Sequence, residues 1–262
     1  MLTLAGVLGD PVAHSRSPAM HNAAFEALGL DWRYVKLPVP PELFAETVRA
    51  LPELGYRGAN VTIPHKEAAL AVADSASDAA RAIGAANTLT FADGEVQADN
   101  TDAAGFLAAL PRSPAGMGAL VLGAGGAARA VAWALDRAGA RVSVWNRTPE
   151  RAAALAADLG VASVEAPVAA ELVVNATSVG LRSEDSIDDL PLAWIDPPAI
   201  AVELVYGRHE TPFGAWAAIG ASEVVDGLEV LVRQGALAFE AWTGQEPPLD
   251  VMRRAARASS SP

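Results

Sequence analysis

The chain of 262 residues contains no cysteine, which excludes a disulfide framework, a thiol nucleophile and a thiolate metal site; no metal is expected. Lysine is nearly absent: Lys36 and Lys66 are the only two, so 17 of the 19 basic residues are arginine. Asparagine is scarce as well, confined to Asn22, Asn60, Asn87, Asn100, Asn146 and Asn175. No apolar run approaches the ~20 residues of a membrane-spanning helix, and the start M-L-T-L-A-G-V-L-G-D lacks the basic flank of a signal peptide. Acidic residues outnumber basic ones by 31 to 19, giving a net charge of −12 and a pI near 4.7. That balance argues against nucleic acid or an anionic membrane as partner. A soluble, cytoplasmic protein is expected, and each lysine or asparagine retained in so sparse a background carries information.

At this length the chain can hold one large or two medium domains. Its organising stretch is Ala119–Ala132, A-L-V-L-G-A-G-G-A-A-R-A-V-A. The apolar run Ala119–Leu122 is short enough for a buried parallel strand, and the alanine-rich segment that follows to Gly139 has helix propensity. Between them, Gly123-Ala124-Gly125-Gly126-Ala127-Ala128 fits G-x-G-x-x-A, the turn that holds a dinucleotide pyrophosphate. The first glycine makes the tight turn, the second lets backbone approach phosphate, and the small Ala128 lets helix pack on strand. Unpaired N–H groups at the helix N-terminus complete an anion site. An NAD site places Asp or Glu at the end of the next strand to bind the ribose 2′-hydroxyl. Here stand Asn146 and Arg147, with Arg151 one helical turn later. Two arginines at i and i+4 share a helical face and can clamp a 2′-phosphate, so the expected cofactor is NADP.

The rest of the chain reads as alternating strands and helices. Leu2–Gly9 is a buried strand, followed by G-D-P-V-A-H-S-R-S-P and a helical run Ala19–Leu28. Ser17 and Pro18 read as N-cap and first helical residue. That leaves Ser15 and His14 unexplained, and two hydroxyls beside a helix N-terminus would also make a carboxylate site. Trp32–Val39 is a second strand, and a third, Gly58–Ile63, runs into Pro64-His65-Lys66-Glu67, so Lys66 falls in the first turn of a helix. The macrodipole disfavours a cation there, which suits a lysine that exchanges its proton. Asn87–Phe91 and Glu95–Asp99 form a hairpin about an Asp93-Gly94 turn. Asn100-Thr101-Asp102 precedes a helix at Ala103–Leu110, with Thr101 or Asp102 as its N-cap. Pro111–Gly116 reads as a linker. Beyond the glycine loop come strands at Arg141–Trp145, Ala162–Val164, Leu172–Asn175, Ile200–Val205 and Glu223–Val225, with terminal helices at Gly227–Trp242 and Leu249–Ala258. Residues Ser259–Pro262 read as a frayed end.

Taken together, the stretches G-D-P-V-A-H-S-R-S-P-A-M-H-N, N-V-T-I-P-H-K, A-A-N-T, D-N-T-D-A-A-G, G-A-G-G-A-A-R, N-R-T, N-A-T-S-V-G and D-G-L-E-V-L-V-R-Q-G-A closely resemble the shikimate dehydrogenase family. The resemblance implies an α/β fold of two domains. An open, mostly parallel α/β substrate domain would comprise residues 1–101 plus 238–262, and a Rossmann doubly wound dinucleotide-binding domain would comprise 102–237. It implies NADPH-dependent, reversible reduction of 3-dehydroshikimate to shikimate in aromatic amino acid biosynthesis; a monomer or homodimer is expected. Carried over by position, Lys66 and Asp102 would be the catalytic pair. Ser15 and Ser17 would bind the substrate carboxylate, Thr62, Asn87, Asp102 and Gln234 the ring, and Tyr206 would assist near the carboxylate. The cofactor would meet Asp78, Gly123, Ala124, Gly125, Gly126, Ala127, Asn146, Arg147, Thr148, Arg151, Thr177, Leu204 and Gly227. Glu203 and Arg208 stand where the family usually has Asp and Pro, so a less rigid loop is expected after that strand. A quinate/shikimate enzyme of broader specificity and a non-catalytic ligand sensor remain alternatives. Lys66 and Asp102 argue against the sensor, and Asn146-Arg147 against an NAD-type enzyme.

Overall fold

A computed structural model describes residues 2–207 and 209–258; Met1, Arg208 and the tail Ser259–Pro262 lie outside the described residues. The chain divides into two units, one running to Gly105 and resuming at Leu231, the other spanning Phe106–Val230.

In the first unit the elements follow as β1 (Thr3–Gly9), α1 (Ser17–Ala27), β2 (Trp32–Pro38), α2 (Phe44–Ala50), β3 (Tyr56–Val61), α3 (Lys66–Val72), β4 (Ser75–Ala76), α4 (Asp78–Ile83), β5 (Thr88–Ala92), β6 (Glu95–Asp99) and α5 (Thr101–Ala109). The sheet order is β2-β1-β3-β5-β6-β4. β1 pairs parallel with β2 and β3, and β4 parallel with β6, while β5 is antiparallel to both its neighbours. The hairpin between β5 and β6 closes through Asp93 and Gly94, both at positive φ (54° and 81°), as a tight twisted turn demands. One core cluster joins Leu8, Phe44, Val48, Leu51, Val61, Leu89 and Phe91. A second cluster is aromatic: the rings of Phe25, His21, Tyr34 and Phe239 stack, and Trp242 packs tilted against His21 and Tyr34. Burying each such phenylalanine contributes about 1.5–3 kcal/mol. The glycines at Gly58 and Gly235 make this packing possible, since a Cβ would stand 2.1 Å from the Trp242 indole and 2.2 Å from Met20 respectively.

The second unit contains β7 (Gly118–Leu122), α6 (Gly126–Arg137), β8 (Arg141–Trp145), α7 (Pro149–Leu159), β9 (Ala162–Ser163), β10 (Leu172–Asn175), β11 (Ile200–Glu203), α8 (Pro212–Gly220) and β12 (Glu223–Val225). Every strand pair is parallel, in the order β9-β8-β7-β10-β11-β12. This is the doubly wound order 3-2-1-4-5-6, whose direction reverses between β7 and β10. β10 and β11 are buried at every residue, which is why each reads as a run of three apolar residues without alternation, closed by a polar one, Asn175 and Glu203. Two helices end the chain, α9 (Gly227–Thr243) and α10 (Leu249–Ala258). In the first unit Arg16 Nη1 donates to the Ala256 carbonyl at 3.1 Å, tying α10 to the loop before α1. No helix of the described residues is long and apolar enough to cross a membrane.

The division into units departs from the expected cuts at 101/102 and 237/238. Both actual cuts fall inside helices, at 105/106 in α5 and 230/231 in α9. Asp102 and Gln234 therefore belong to the first unit. A boundary inside a continuous helix leaves no loop composition to mark it.

Candidate functional site

Lys66 is the first residue of α3, and its Nζ donates to Asp102 Oδ2 at 2.6 Å, the two side chains being only 13% and 19% exposed. The other carboxylate oxygen, Oδ1, accepts from Asn87 Nδ2 at 2.8 Å. Asn87 Nδ2 also reaches Thr101 Oγ1 (3.0 Å) and Gln234 Oε1 (3.1 Å), while its Oδ1 accepts from the Thr101 backbone N–H at 2.7 Å. Behind Asn87, Thr88 and Thr101 share a hydroxyl contact of 2.9 Å. Asn60 Nδ2 donates to Thr88 Oγ1 at 3.1 Å, and Tyr34 O–H donates to Asn60 Oδ1 at 2.8 Å. The pair thus rests on a buried, fully connected polar network, which fixes side-chain directions that surface residues would not keep.

Local sequence explains how the network forms. Asn100, not Thr101 or Asp102, caps α5: its Oδ1 accepts from the Ala103 N–H at 3.2 Å. The expected capping role of Thr101 or Asp102 is therefore corrected, and both side chains are free to turn inward. Gly105 brings α9 so close to α5 that a Cβ there would stand 2.5 Å from the Gln234 backbone nitrogen. That approach carries Gln234 to Asn87. His65, buried and stacked on Phe44 at 4.5 Å, fixes the start of α3 through a 2.7 Å contact between Nε2 and the Val39 carbonyl.

Ser15 and Ser17 lie together and buried, with the Ser17 N–H donating to Ser15 Oγ at 3.3 Å. Ser17 is not the N-cap; α1 starts at Ser17, so Arg16 occupies the cap and makes no side-chain cap bond. Lys36 Nζ donates to the Ala13 carbonyl in this loop. Partial burial and the Lys36 ammonium hold His14 below the ordinary imidazole range. Thr62 follows β3, against Gly9, where a Cβ would meet Thr62 Cγ2 at 2.4 Å. No hydrogen bond among the described residues links Ser15, Ser17 or Thr62 to the Lys66 network.

In the second unit the first two glycines of the expected nucleotide turn differ in kind. Gly123 has φ +116°, and a Cβ would stand 2.7 Å from the Ala176 carbonyl oxygen, so both backbone and packing require glycine. Gly125 is extended (φ −96°, ψ −176°), and a Cβ added there would meet nothing within 4 Å. Neither strain nor protein packing explains that glycine, and the space it leaves fits the close approach of a pyrophosphate. Ala124 lies between these two glycines, and Gly126 and Ala127 open α6, which has no side-chain cap to occupy its first N–H groups. Asn146 Nδ2 donates to the Thr148 carbonyl at 2.9 Å, shaping the turn at the end of β8. Arg147 and Arg151 are exposed, and no carboxylate among the described residues pairs with either. They are not one turn apart on a helix, as the i, i+4 spacing suggests, because α7 begins at Pro149 and leaves Arg147 in the turn before it. Asp78 belongs to the first unit, at the start of α4, where its carboxylate is exposed and pairs with Arg81 at 3.3 Å.

Thr177 and Leu204 follow the C-terminal ends of β10 and β11, and Tyr206 follows in the same loop as Leu204. Gly227, at the head of α9, lies so near that loop that a Cβ would stand 2.7 Å from both the Leu204 and Val205 carbonyl oxygens. The loosening expected from Glu203 is corrected, because its buried carboxylate accepts from Asn175 Nδ2 (2.9 and 3.1 Å), the Val205 N–H (2.8 Å) and Thr211 Oγ1 (2.6 Å). Burial pushes the Glu203 carboxyl up to about 7, against the pull of those donors. Arg208, the other departure, lies outside the described residues.

Sequence reasoning missed Thr101, Thr88, Tyr34 and Glu203 as parts of these networks. The scarcity of asparagine was the available signal, since all six asparagines make side-chain hydrogen bonds.

Three family models match the chain. They are the shikimate dehydrogenase substrate binding domain over residues 7–89, shikimate / quinate 5-dehydrogenase over 110–178, and the shikimate 5′-dehydrogenase C-terminal domain over 227–257. Curated relatives include the shikimate dehydrogenase (NADP(+)) of Acidiphilium cryptum, 48% identical over 94% of this chain and 92% of the relative. That of Paracoccus denitrificans is 47% identical over 94% and 93%. Among solved structures, shikimate 5-dehydrogenase from Thermus thermophilus, in complex with NADP(H) and shikimate, is 45% identical with a TM-score of 0.87, covering 98% of this chain and 99% of that one. Family models that match both units, and relatives near half identity over almost the whole length, agree with the Rossmann strand order and the motifs, and the chain belongs to the shikimate dehydrogenase family.

Proposed function

We propose that this chain catalyses the reversible, NADPH-dependent reduction of 3-dehydroshikimate to shikimate in aromatic amino acid biosynthesis. The observation that carries this reading is the 2.6 Å bond between Lys66 Nζ and Asp102 Oδ2, held by Asn87, in a chain of this family. Ketone reduction needs hydride at the carbon and a proton at the developing alkoxide. When bound, NADPH supplies the hydride, or NADP+ accepts it in the reverse direction. Lys66 holds the proton at the carbonyl oxygen and stabilises the charge that develops there. Asp102 orients Lys66, and at this separation acid and base roles belong to the pair rather than to either residue.

Ser15 and Ser17, at the N-terminus of α1, take the substrate carboxylate, and Tyr206 assists near it. Thr62, Asn87, Asp102 and Gln234 hold the ring hydroxyls. The turn Gly123–Ala127 takes the pyrophosphate, and Asn146, Arg147, Thr148 and Arg151 take the 2′-phosphate. Thr177, Leu204 and Gly227 serve the nicotinamide half. Residues up to α5 together with the C-terminal helices act as the substrate domain, and the six-stranded parallel unit as the NADP domain. The net charge of −12 supports a protein without nucleic-acid partners, and the form we propose for it is a cytoplasmic monomer or homodimer.

The test is the initial rate with shikimate and with quinate, each against NADP+ and NAD+. Shikimate with NADP+ is expected to give the highest kcat/KM. No turnover of shikimate, or faster turnover of quinate, would overturn the assignment.

A further inference from the structure

Glu203 closes β11, is only 5% exposed, and has no cation paired with it among the described residues. Its Oε1 accepts from the Val205 N–H and Asn175 Nδ2, and its Oε2 from Thr211 Oγ1 and the same Nδ2. A side-chain amide has one donating and one accepting end. A carboxylate that engages Nδ2 therefore turns Asn175 Oδ1 the other way. That oxygen accepts from both the Thr177 hydroxyl (2.7 Å) and the Thr177 N–H (3.1 Å), and Thr177 Oγ1 in turn accepts from the Val179 N–H at 3.1 Å. Thr211, while donating to Glu203, caps α8 by accepting from the Gly214 N–H at 2.9 Å, and Gly180 packs against its Cβ. One buried carboxylate thus joins the loop after β10, the loop after β11 and the start of α8.

We propose that Glu203 is a positioning residue of the cofactor site: through Asn175 it orients Thr177, and it fastens together the two loops that receive the nicotinamide half of NADP. The proposal rests on the NADP-binding reading given above. In a doubly wound sheet each βαβαβ half takes one mononucleotide. β7–β9 and their loops then serve the adenosine half, and β10–β12 the nicotinamide half. Glu203 touches only the second. Replacing it by glutamine keeps the shape but sets an NH2 group where a lone pair was. One oxygen can still accept from Asn175 Nδ2, so the substitution removes the charge, the second contact to that amide and the acceptor of the Thr211 hydroxyl, and it loosens the hold on Asn175 and through it on Thr177.

The experiment compares two ligands in the full chain: NADPH, measured by fluorescence titration, and 2′,5′-ADP, which carries the 2′-phosphate but no nicotinamide. Glu203→Gln is expected to weaken NADPH about tenfold, the size of one lost charge-assisted hydrogen bond. Binding of 2′,5′-ADP is expected to stay within twofold. Thr177→Val is expected to give the same split, and the double variant little more than either single. If Glu203→Gln binds NADPH as the unmutated chain does, or weakens both ligands equally, the positioning role is overturned. If the unmutated chain binds neither ligand, the cofactor reading itself fails, and this inference with it. Should Glu203→Gln not fold, Asn175→Ala is read in the same way, since it removes the amide through which Glu203 reaches Thr177.

Discussion

Two glycines of a single turn are expected to respond in opposite ways to the same substitution. At Gly125 the backbone is open to any residue, and an added Cβ meets no protein atom within 4 Å. Gly125→Ala removes freedom from the unfolded chain and is expected to leave stability unchanged or raise it by about 0.4–1 kcal/mol. In a protein of this size that is about 1–3 °C in Tm. In the proposed cofactor site the same methyl group would stand where the pyrophosphate approaches, and forcing a close-packed contact costs about 1–3 kcal/mol. The KM for NADP is then expected to rise roughly 10–100-fold. Gly123→Ala meets both a φ of +116° and the Ala176 carbonyl oxygen at 2.7 Å. It is expected to destabilise the fold by about 1–3 kcal/mol, or roughly 2–10 °C. Thermal melts and cofactor KM values of the two variants separate the cases. A Gly125→Ala protein that melts normally and keeps its KM for NADP within twofold would show that no ligand fills that space.

Further consequences follow for cofactor choice and for pH. Arg147→Ala is expected to raise the KM for NADP about tenfold or more while leaving that for NAD nearly alone, and adding Asn146→Asp to move preference toward NAD. Equal kcat/KM for the two cofactors in the unmutated protein would contradict this. His21 is completely buried, without a hydrogen-bond partner for either ring nitrogen among the described residues, and desolvation holds its pKa at about 3 against 6.5. The unfolded chain therefore binds the extra proton between those values, so stability relative to His21→Phe should fall as pH drops from 6.5 toward 3. The slope approaches about 1.4 kcal/mol per pH unit, and parallel denaturation profiles for the two proteins would refute it.

What could be read from the amino acids was whatever local chemistry decides. β8 (Arg141–Trp145), β12 (Glu223–Val225) and α10 (Leu249–Ala258) stand where alternation and apolar spacing put them. Lys66 was legible from its rarity and its place in a helix's first turn, whereas the scarcity of asparagine marked Asn87 but not the network around it. Tertiary position decided the rest. Asn100, Thr101 and Asp102 are near-equal cap formers in succession, and only the register in which β6 delivers them makes Asn100 the cap. β4 is two residues long and exists because Ser75 and Ala76 meet Gln97 and Ala98, which no periodicity announces. The helix α8 carried its start signal, since Thr211 caps it and Pro212 opens it, but two glycines in Phe213–Gly220 hid its body. Glu203 looked like a loosening of its loop, because burial and four donated hydrogen bonds are properties of the folded neighbourhood and not of the residue.

The most direct test of the central claim is a double-mutant cycle on shikimate-dependent reduction of NADP+, followed as NADPH absorbance. Lys66→Ala and Asp102→Ala are each expected to lower kcat by about 10²–10⁴. The double variant is expected to fall little further, because the 2.6 Å pair acts as one unit. An unmutated chain that forms no NADPH from shikimate, or single losses that multiply in the double variant, would contradict the account.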